Sequence, residues 1–231
     1  MKTIGLLGGM SWESTAIYYR VINELVQERL GGLHSADLLL RSIDFAGMAQ
    51  LQAEGDWEEA AARLCEDARR LEAAGAELVL LCTNTMHRVA PQVEAALGVP
   101  FIHIGDATAQ VAVRSGFSRL GLLGTSFTMT ETFYRERFLA RGLTVMVPPE
   151  ADRIPIHNII FDELCRGVVS PLSRVIFRDA IHDLAARGAE AVILGCTEIG
   201  LLISESDVEL PLLDTTRIHA TAGVDAALGQ S

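Results

Sequence analysis

Short, fully apolar runs alternate with longer amphipathic segments along this chain. Runs such as Ile4–Gly8 and Leu78–Cys82 have no polar position, which is typical of strands buried on both faces of a parallel sheet. The segments between them are helical in pattern: one helix is predicted near Thr15–Leu30, closing at a Gly-Gly pair, and another over Trp57–Ala74, capped by Gly75. The alternation predicts an α/β fold with parallel sheets covered on both faces.

The same pattern occurs twice. Three blocks recur in the same order at offsets of 116, 114 and 111 positions: Lys2–Gly9 with Ser118–Thr125, Ala74–Thr83 with Arg187–Thr197, and Val99–Ile102 with Leu210–Leu213. Duplication of one unit explains this order. We therefore expect two pseudo-symmetric lobes, each a mostly parallel sheet flanked by helices. The N-terminal lobe is predicted to contain residues 1–98 and 209–231, the C-terminal lobe residues 99–208, with an active site between them.

Composition narrows the class of protein. The 231 residues are 49% apolar and carry 19 basic and 30 acidic side chains, a net charge of -11, which indicates a folded chain and argues against a nucleic-acid partner. The apolar runs are far shorter than the roughly 18 residues of a membrane span, and no signal peptide is recognisable, so we expect a cytoplasmic protein with no membrane partner. Lys2 is the only lysine, which argues against pyridoxal-phosphate chemistry, and the four cysteines show no spacing of a metal site.

Two of the cysteines stand at corresponding places in the repeat. Cys82 and Cys196 each end an apolar run and are each followed by threonine, which predicts a thiol at the carboxyl end of a strand. A helix beginning there would lower the thiol pKa and favour thiolate. A single cysteine at the end of a strand is ordinarily a buried residue that only fills the core. Core packing alone, however, gives no reason for a cysteine at this position in both halves of the repeat. Cys65 has no counterpart in the repeat and is assigned to the core.

Two thiols that face one substrate can invert a stereocentre without a cofactor. One thiolate removes a proton from carbon and the opposite thiol returns a proton to the other face, so the two pKa values belong to the pair. With each sulfur within about 3.5 Å of the same carbon, the sulfurs would lie about 7 Å apart. The carbanion forms next to a carboxylate, which hydrogen-bond donors must surround; Thr83, Asn84, Thr85, Thr197 and the turn from Thr125 are candidates.

At these residues the sequence resembles the aspartate/glutamate racemase superfamily, and most closely its bacterial broad-specificity amino-acid racemases. The segments that carry the resemblance are Gly8–Thr15, Leu30–Ser35, Cys82–His87, Ile159–Cys165 and Gly195–Gly200. The resemblance implies two α/β lobes, an amino-acid substrate, no cofactor and often a homodimer. By position it makes Cys82 and Cys196 the acid/base pair, and it places the following among substrate contacts: Met10, Gln52, Thr83, Asn84, Thr85 and Thr125.

The chain departs from strict aspartate racemases of this superfamily at one informative position. Those enzymes grip the side-chain carboxylate with basic residues, including a lysine where this sequence has Cys165, so that residue is also assigned to the substrate site. A second buried carboxylate without a cation is costly, which favours neutral amino acids, although Arg166 could supply a charge. His87 and Glu198 are candidates for tuning the thiols.

Two other functions stay open from the sequence. One is a maleate cis-trans isomerase of the same fold, in which one cysteine adds covalently to the substrate. The other is an amino-acid-binding protein without catalytic activity. The cysteine pair argues against the second, because a binding protein needs no thiol in either half.

Overall fold

The computed structural model describes residues 1–229, which form two compact units. The first comprises Met1–Ile104 and the described residues from His219 onward, and the second comprises Gly105–Ile218. Within the described residues, each unit contains one four-stranded sheet whose strands are all parallel. The predicted fold class, two α/β units with helices around a parallel sheet, is confirmed.

The first unit has the strand order β2-β1-β3-β4. Its strands are β1 Ile4–Gly8, β2 Leu38–Ser42, β3 Leu78–Leu81 and β4 Phe101–Ile102. Its helices are α1 Trp12–Leu30, α2 Phe45–Glu54, α3 Trp57–Ala73, the 3₁₀ helix Thr85–Val89 and α4 Ala90–Ala95. Helix α5, Ile104–Arg114, carries the chain into the second unit.

The second unit repeats this order as β6-β5-β7-β8. Its strands are β5 Arg119–Gly124, β6 Thr144–Met146, β7 Ala191–Gly195 and β8 Leu212–Asp214. Its helices are α6 Ser126–Thr130, α7 Thr132–Leu139, α8 Glu150–Asp162, the 3₁₀ helix Leu164–Arg166, α9 Pro171–Ala186 and α10 Ile199–Leu202. Helix α11, Thr215–Leu228, begins here and ends in the first unit. The three repeated blocks of the sequence therefore supply corresponding strands of the two sheets.

The fully apolar strands of the first unit are covered on both faces. Leu6 and Leu80 pack with α1 and α11, whereas Leu7 and Leu81 pack with α3 and the segment after β3. Alternate side chains thus enter two separate cores, which explains why these runs have no polar position.

The units divide the chain six and ten residues later than the predicted boundaries at 98/99 and 208/209. Strand β4 pairs in parallel with β3, and β8 with β7, so each third repeated strand stays in the sheet of its own unit. Helix α11, rather than a strand, completes the first unit. Gly223 of that helix lies against Leu80, at a spacing that leaves no room for a Cβ.

Gly9 forms a glycine pair with Gly8, the last residue of β1. Its φ is +89°, and a Cβ there would lie 2.3 Å from the carbonyl oxygen of Ile43. The pair is therefore a tight strand-to-helix turn. Ser11 then caps α1, so this helix begins at Trp12, three residues before the predicted start. Among the described residues, no helix is long and apolar enough to cross a membrane.

Candidate active site

Cys82 is the first residue after β3 in the first unit. Its backbone N–H donates to the carbonyl of Leu7 at 2.9 Å, continuing the pairing of β3 with β1 by one residue. The side chain is fully buried, with its sulfur 3.8 Å from the carbonyl oxygen of Leu80. Burial raises the pKa of the Cys82 thiol, because a thiolate is poorly solvated there.

The turn after Cys82 holds three buried polar residues, Thr83, Asn84 and Thr85. The N–H of Thr83 donates back to the carbonyl of Leu81 at 2.9 Å, which bends the chain sharply at the strand end. This turn places two hydroxyls and an amide beside the thiol in sequence, at the sheet edge where ligands of parallel α/β folds bind.

Met10 and Gln52 are the other predicted contacts in the first unit, and both are buried. Met10 follows β1, the strand next to β3. The amide nitrogen of Gln52 lies 2.9 Å from the sulfur of Met86, while its buried Oε1 has no hydrogen-bond partner among residues 1–229. A buried acceptor without a donor costs free energy, so this oxygen is suited to a donor group of a ligand.

Cys196 is the first residue after β7 in the second unit. Its thiol donates to Oε2 of Glu198 at 3.0 Å, and the hydroxyl of Thr197 donates to the same oxygen at 2.7 Å. All three side chains are buried. Burial is the largest cause that raises the pKa of the Cys196 thiol, and the negative charge of Glu198 and the neighbouring Cys165 raise it further.

Cys165 lies on the other side of the same carboxylate. It belongs to the 3₁₀ helix after α8, is half-buried, and has its sulfur 3.8 Å from Oε1 of Glu198. Arg166 is exposed, and its guanidinium lies 3.6 Å from the carboxylate of Asp162. The predicted substrate contacts Cys165 and Thr197 and the predicted acid/base residue Cys196 are therefore brought together through Glu198.

Thr125 joins the second-unit residues through the sheet register. It follows Gly124, which pairs with Gly195, the residue before Cys196. Its hydroxyl caps α6 by accepting from the N–H of Thr128 at 3.4 Å. The next N–H, that of Ser126, donates to Nδ1 of His157 on α8 at 3.1 Å, a contact between residues 31 positions apart that has no local sequence signal.

The thiol pKa values differ from the sequence-based expectation. The sequence predicts that a following helix lowers them, but the helix after Cys82 is a five-residue 3₁₀ helix and α10 after Cys196 has four residues. Few peptide dipoles are aligned in so short a helix, whereas burial of both cysteines leaves a thiolate poorly solvated. Burial therefore decides the direction of both shifts.

The two residues considered for tuning the thiols differ in their contacts. Glu198 accepts a hydrogen bond from the Cys196 thiol. Both ring nitrogens of His87 instead lie within hydrogen-bonding distance of backbone groups, the Thr83 carbonyl at 2.7 Å and the Ile104 N–H at 3.2 Å. Within residues 1–229, no group of three or more His, Cys, Asp and Glu side chains is arranged to hold a metal ion.

Comparison with solved structures identifies the class of protein. A Yersinia pestis protein provisionally assigned to the Asp/Glu racemases is 50% identical, with a TM-score of 0.91 over 99% of this chain and 100% of that one. An aspartate racemase homologue from Pyrococcus horikoshii OT3 is 35% identical, with a TM-score of 0.86 over 99% and 100% of the two chains. The fold is thus that of the Asp/Glu racemase class.

Sequence comparison then gives the family. The model of the Asp/Glu/hydantoin racemase family matches residues 7–223, and the chain belongs to this family. Among its relatives is the broad-specificity amino-acid racemase RacX of Bacillus subtilis (strain 168), which is 20% identical over 97% of this chain and 98% of RacX. The residues matched by the family model, 7–223, include both cysteine turns.

Proposed function

We propose that the protein is an amino-acid racemase that works without a cofactor and uses Cys82 and Cys196 as its acid/base pair. The observation that carries this proposal is the equivalent placement of the two thiols. Each is buried and directly follows the corresponding strand, β3 or β7, of a sheet with the same strand order, and each precedes a threonine. Membership of a racemase family supports racemisation as the chemistry of this duplicated placement.

In the proposed reaction the two thiols work on opposite faces of the substrate Cα. One cysteine, as thiolate, takes the Cα proton and becomes a thiol, while the carbanion is held next to the carboxylate. The other thiol gives its proton to the opposite face and becomes the thiolate. The product has the inverted configuration, no proton is gained or lost overall, and the two sulfurs have exchanged roles for the reverse reaction.

The remaining site residues are proposed to bind the substrate. The hydroxyls and amide of Thr83, Asn84 and Thr85 would donate to the carboxylate, whose negative charge grows as the proton leaves. The buried Oε1 of Gln52 would accept from the substrate ammonium group. Met10 would contribute apolar contact, and Thr125 and Thr197 polar contact from the second unit.

The surroundings of Cys165 support neutral amino acids as preferred substrates. The sulfur of Cys165 lies 3.8 Å from Oε1 of Glu198, a carboxylate that would repel the side-chain carboxylate of aspartate. Arg166 is exposed and faces Asp162. With Arg166 paired to Asp162, a second substrate carboxylate beside Cys165 would gain little from this arginine to offset its loss of water.

Proton exchange at Cα tests the proposed function. The purified protein is incubated in D₂O, without pyridoxal phosphate, with single amino acids: L-alanine, L-methionine, L-serine and L-aspartate. Loss of the Cα proton signal by NMR and formation of the D-isomer should occur together, and faster for a neutral amino acid than for aspartate. Binding without exchange for all four substrates would overturn the proposal.

Cysteine variants test the assignment of the two bases. Cys82→Ser and Cys196→Ser should each lower the rate of inversion by more than about 10³-fold, since a serine hydroxyl is a far weaker acid than a thiol. Cys65→Ser is the matched control, because this half-buried cysteine has no counterpart in the repeat, and it should retain wild-type activity. Wild-type inversion by either active-site variant would remove that cysteine from the mechanism.

A further inference from the structure

The first unit contains buried histidine and tyrosine side chains that have no role in the proposed reaction. His87 is 1% exposed, and Tyr18 and His219 are fully buried. The ring centroids of His87 and His219 lie 5.8 Å apart, and those of Tyr18 and His219 lie 5.6 Å apart. Polar groups this deeply buried stabilise a fold only when their hydrogen bonds are made, so their partners indicate what they hold.

The partners of His87 define its protonation. Its Nε2 accepts from the backbone N–H of Ile104 at 3.2 Å, so this nitrogen carries no proton. Its Nδ1 therefore holds the ring proton and donates it to the carbonyl of Thr83 at 2.7 Å. The imidazole is neutral and bridges two backbone groups that lie 21 positions apart in the sequence.

His219 is arranged in the same way. Its Nε2–H donates to the carbonyl of Ile102 at 2.7 Å, and its Nδ1 accepts from the hydroxyl of Tyr18, also at 2.7 Å. Burial lowers the pKa of His219 to about 3, which keeps this ring neutral near pH 7. The two imidazoles therefore hold Ile102 and Ile104, the residues on either side of His103.

Two of the backbone groups next to these imidazoles have notable positions, one at the boundary of the first unit and one beside Cys82. Ile104 is the last residue of the first unit before the chain enters the second, and His219 is the first residue after it returns. Thr83 lies in the turn directly after Cys82. Its N–H is already bonded to Leu81, so the bond from its carbonyl to His87 fixes the other side of the same residue.

We propose that His87 is a positioning residue, which holds the Thr83–Thr85 turn against the junction of β4 and α5, while His219 and Tyr18 hold that junction from its other side. This role rests on the proposed function for its effect on catalysis. His87 itself takes no proton from the substrate. Because small displacements of binding groups can lower rates by up to about 10²-fold, loss of this bridge should lower kcat.

Two variants of His87 and one control variant test this proposal. His87→Phe keeps a ring but removes both hydrogen bonds. His87→Asn keeps a donor near the position of Nδ1 and removes the acceptor used by Ile104. His182→Phe is the control, because it makes the same replacement at an exposed histidine of α9. Circular dichroism and thermal unfolding establish that each variant is folded, and His87→Asn provides the test if His87→Phe is not.

Hydrogen exchange of the unliganded protein, followed by mass spectrometry, is the first measurement. His87→Phe should speed exchange of peptides covering residues 82–89 and 101–106 by at least about 10-fold, while a β1 peptide keeps its protection. His87→Asn should speed exchange mainly in 101–106. This readout does not require racemase activity, so it judges the bridge even if no amino acid is turned over.

Kinetics is the second measurement. With the best amino-acid substrate, we expect kcat to fall about 10- to 100-fold in His87→Phe and by a smaller factor in His87→Asn, with KM changed less than about threefold in both. His182→Phe should match wild type. Wild-type protection of residues 82–89 in a folded His87→Phe variant, or loss of protection with unchanged kcat, would overturn the proposal.

Discussion

His219 should make the first unit sensitive to acid. The ring is fully buried, its Nδ1 accepts from Tyr18, and burial lowers its pKa from the ordinary 6.5 to about 3. Protonation would leave two donors and no acceptor facing the Tyr18 hydroxyl. The other groups that face this ring are the carbonyl of Ile102 and the rings of His87 and His103, and His103 also lowers the pKa of His219.

The sign and size of the effect follow from proton linkage. Below pH 6.5 the unfolded chain binds a proton at this position, whereas the folded chain binds one only near pH 3. The free energy of unfolding is therefore unaffected by His219 above about pH 6.5 and falls as the pH decreases toward 3. One pKa unit corresponds to about 1.4 kcal/mol, which gives about 2 kcal/mol lost at pH 5 and about 5 kcal/mol below pH 3.

Urea unfolding followed by tryptophan fluorescence measures the free energy of unfolding of the first unit at each pH, because both tryptophans, Trp12 and Trp57, lie in that unit. Wild type should lose about 2 kcal/mol more stability between pH 7.5 and pH 5 than His219→Gln, which keeps an amide donor and acceptor but does not titrate. His182→Gln at the surface should retain the wild-type dependence. If wild type and His219→Gln differ by less than about 0.5 kcal/mol in this change, the reasoning is refuted.

Two further predictions concern the thiols and the turn after β1. Because burial raises both thiol pKa values, kcat/KM should rise about tenfold per pH unit between pH 6.5 and 8.5, and Glu198→Gln should move this rise to lower pH by removing a charge that raises the pKa of Cys196. A plateau from pH 7 upward would contradict this. Gly9→Ala should cost about 2–4 kcal/mol in urea unfolding, since its φ is +89° and the new Cβ would meet the Ile43 backbone. Gly55→Ala, at φ +74° in open space, should cost only about 1 kcal/mol, and equal losses would contradict the steric argument.

The sheets could be predicted because their signal is local. Each central strand is a short apolar run, and the repeat places the runs in the same order twice, so the strands and their duplication follow from the sequence alone. The boundaries of the units depend instead on long-range packing. Helix α11 packs in the first unit, where Gly223 contacts Leu80, a residue 143 positions earlier, and no local pattern indicates that contact.

In the candidate site, too, a residue could be predicted where its signal is local and could not where its role depends on a distant partner. Cys82, Cys196 and the polar residues after them are recognisable because they end repeated strands. His219 is not recognisable in this way, since its partner Tyr18 is 201 positions away and belongs, by sequence, to the apolar face of a helix. Buried polar networks of this kind are built from residues that the fold brings together, so sequence patterns show their members only as exceptions.

The thiols show why a correct location does not by itself give the correct chemistry. The strand-end position suggested a thiolate stabilised by a helix, but the helices that follow have only five and four residues, and both sulfurs are buried. Desolvation outweighs the partial charge of so few peptide groups. The negative charge of the Glu198 carboxylate raises the pKa of the Cys196 thiol further. In the proposed reaction the thiolate is therefore scarce at neutral pH in the unliganded protein and is stabilised by the positive charge of the bound substrate's ammonium group.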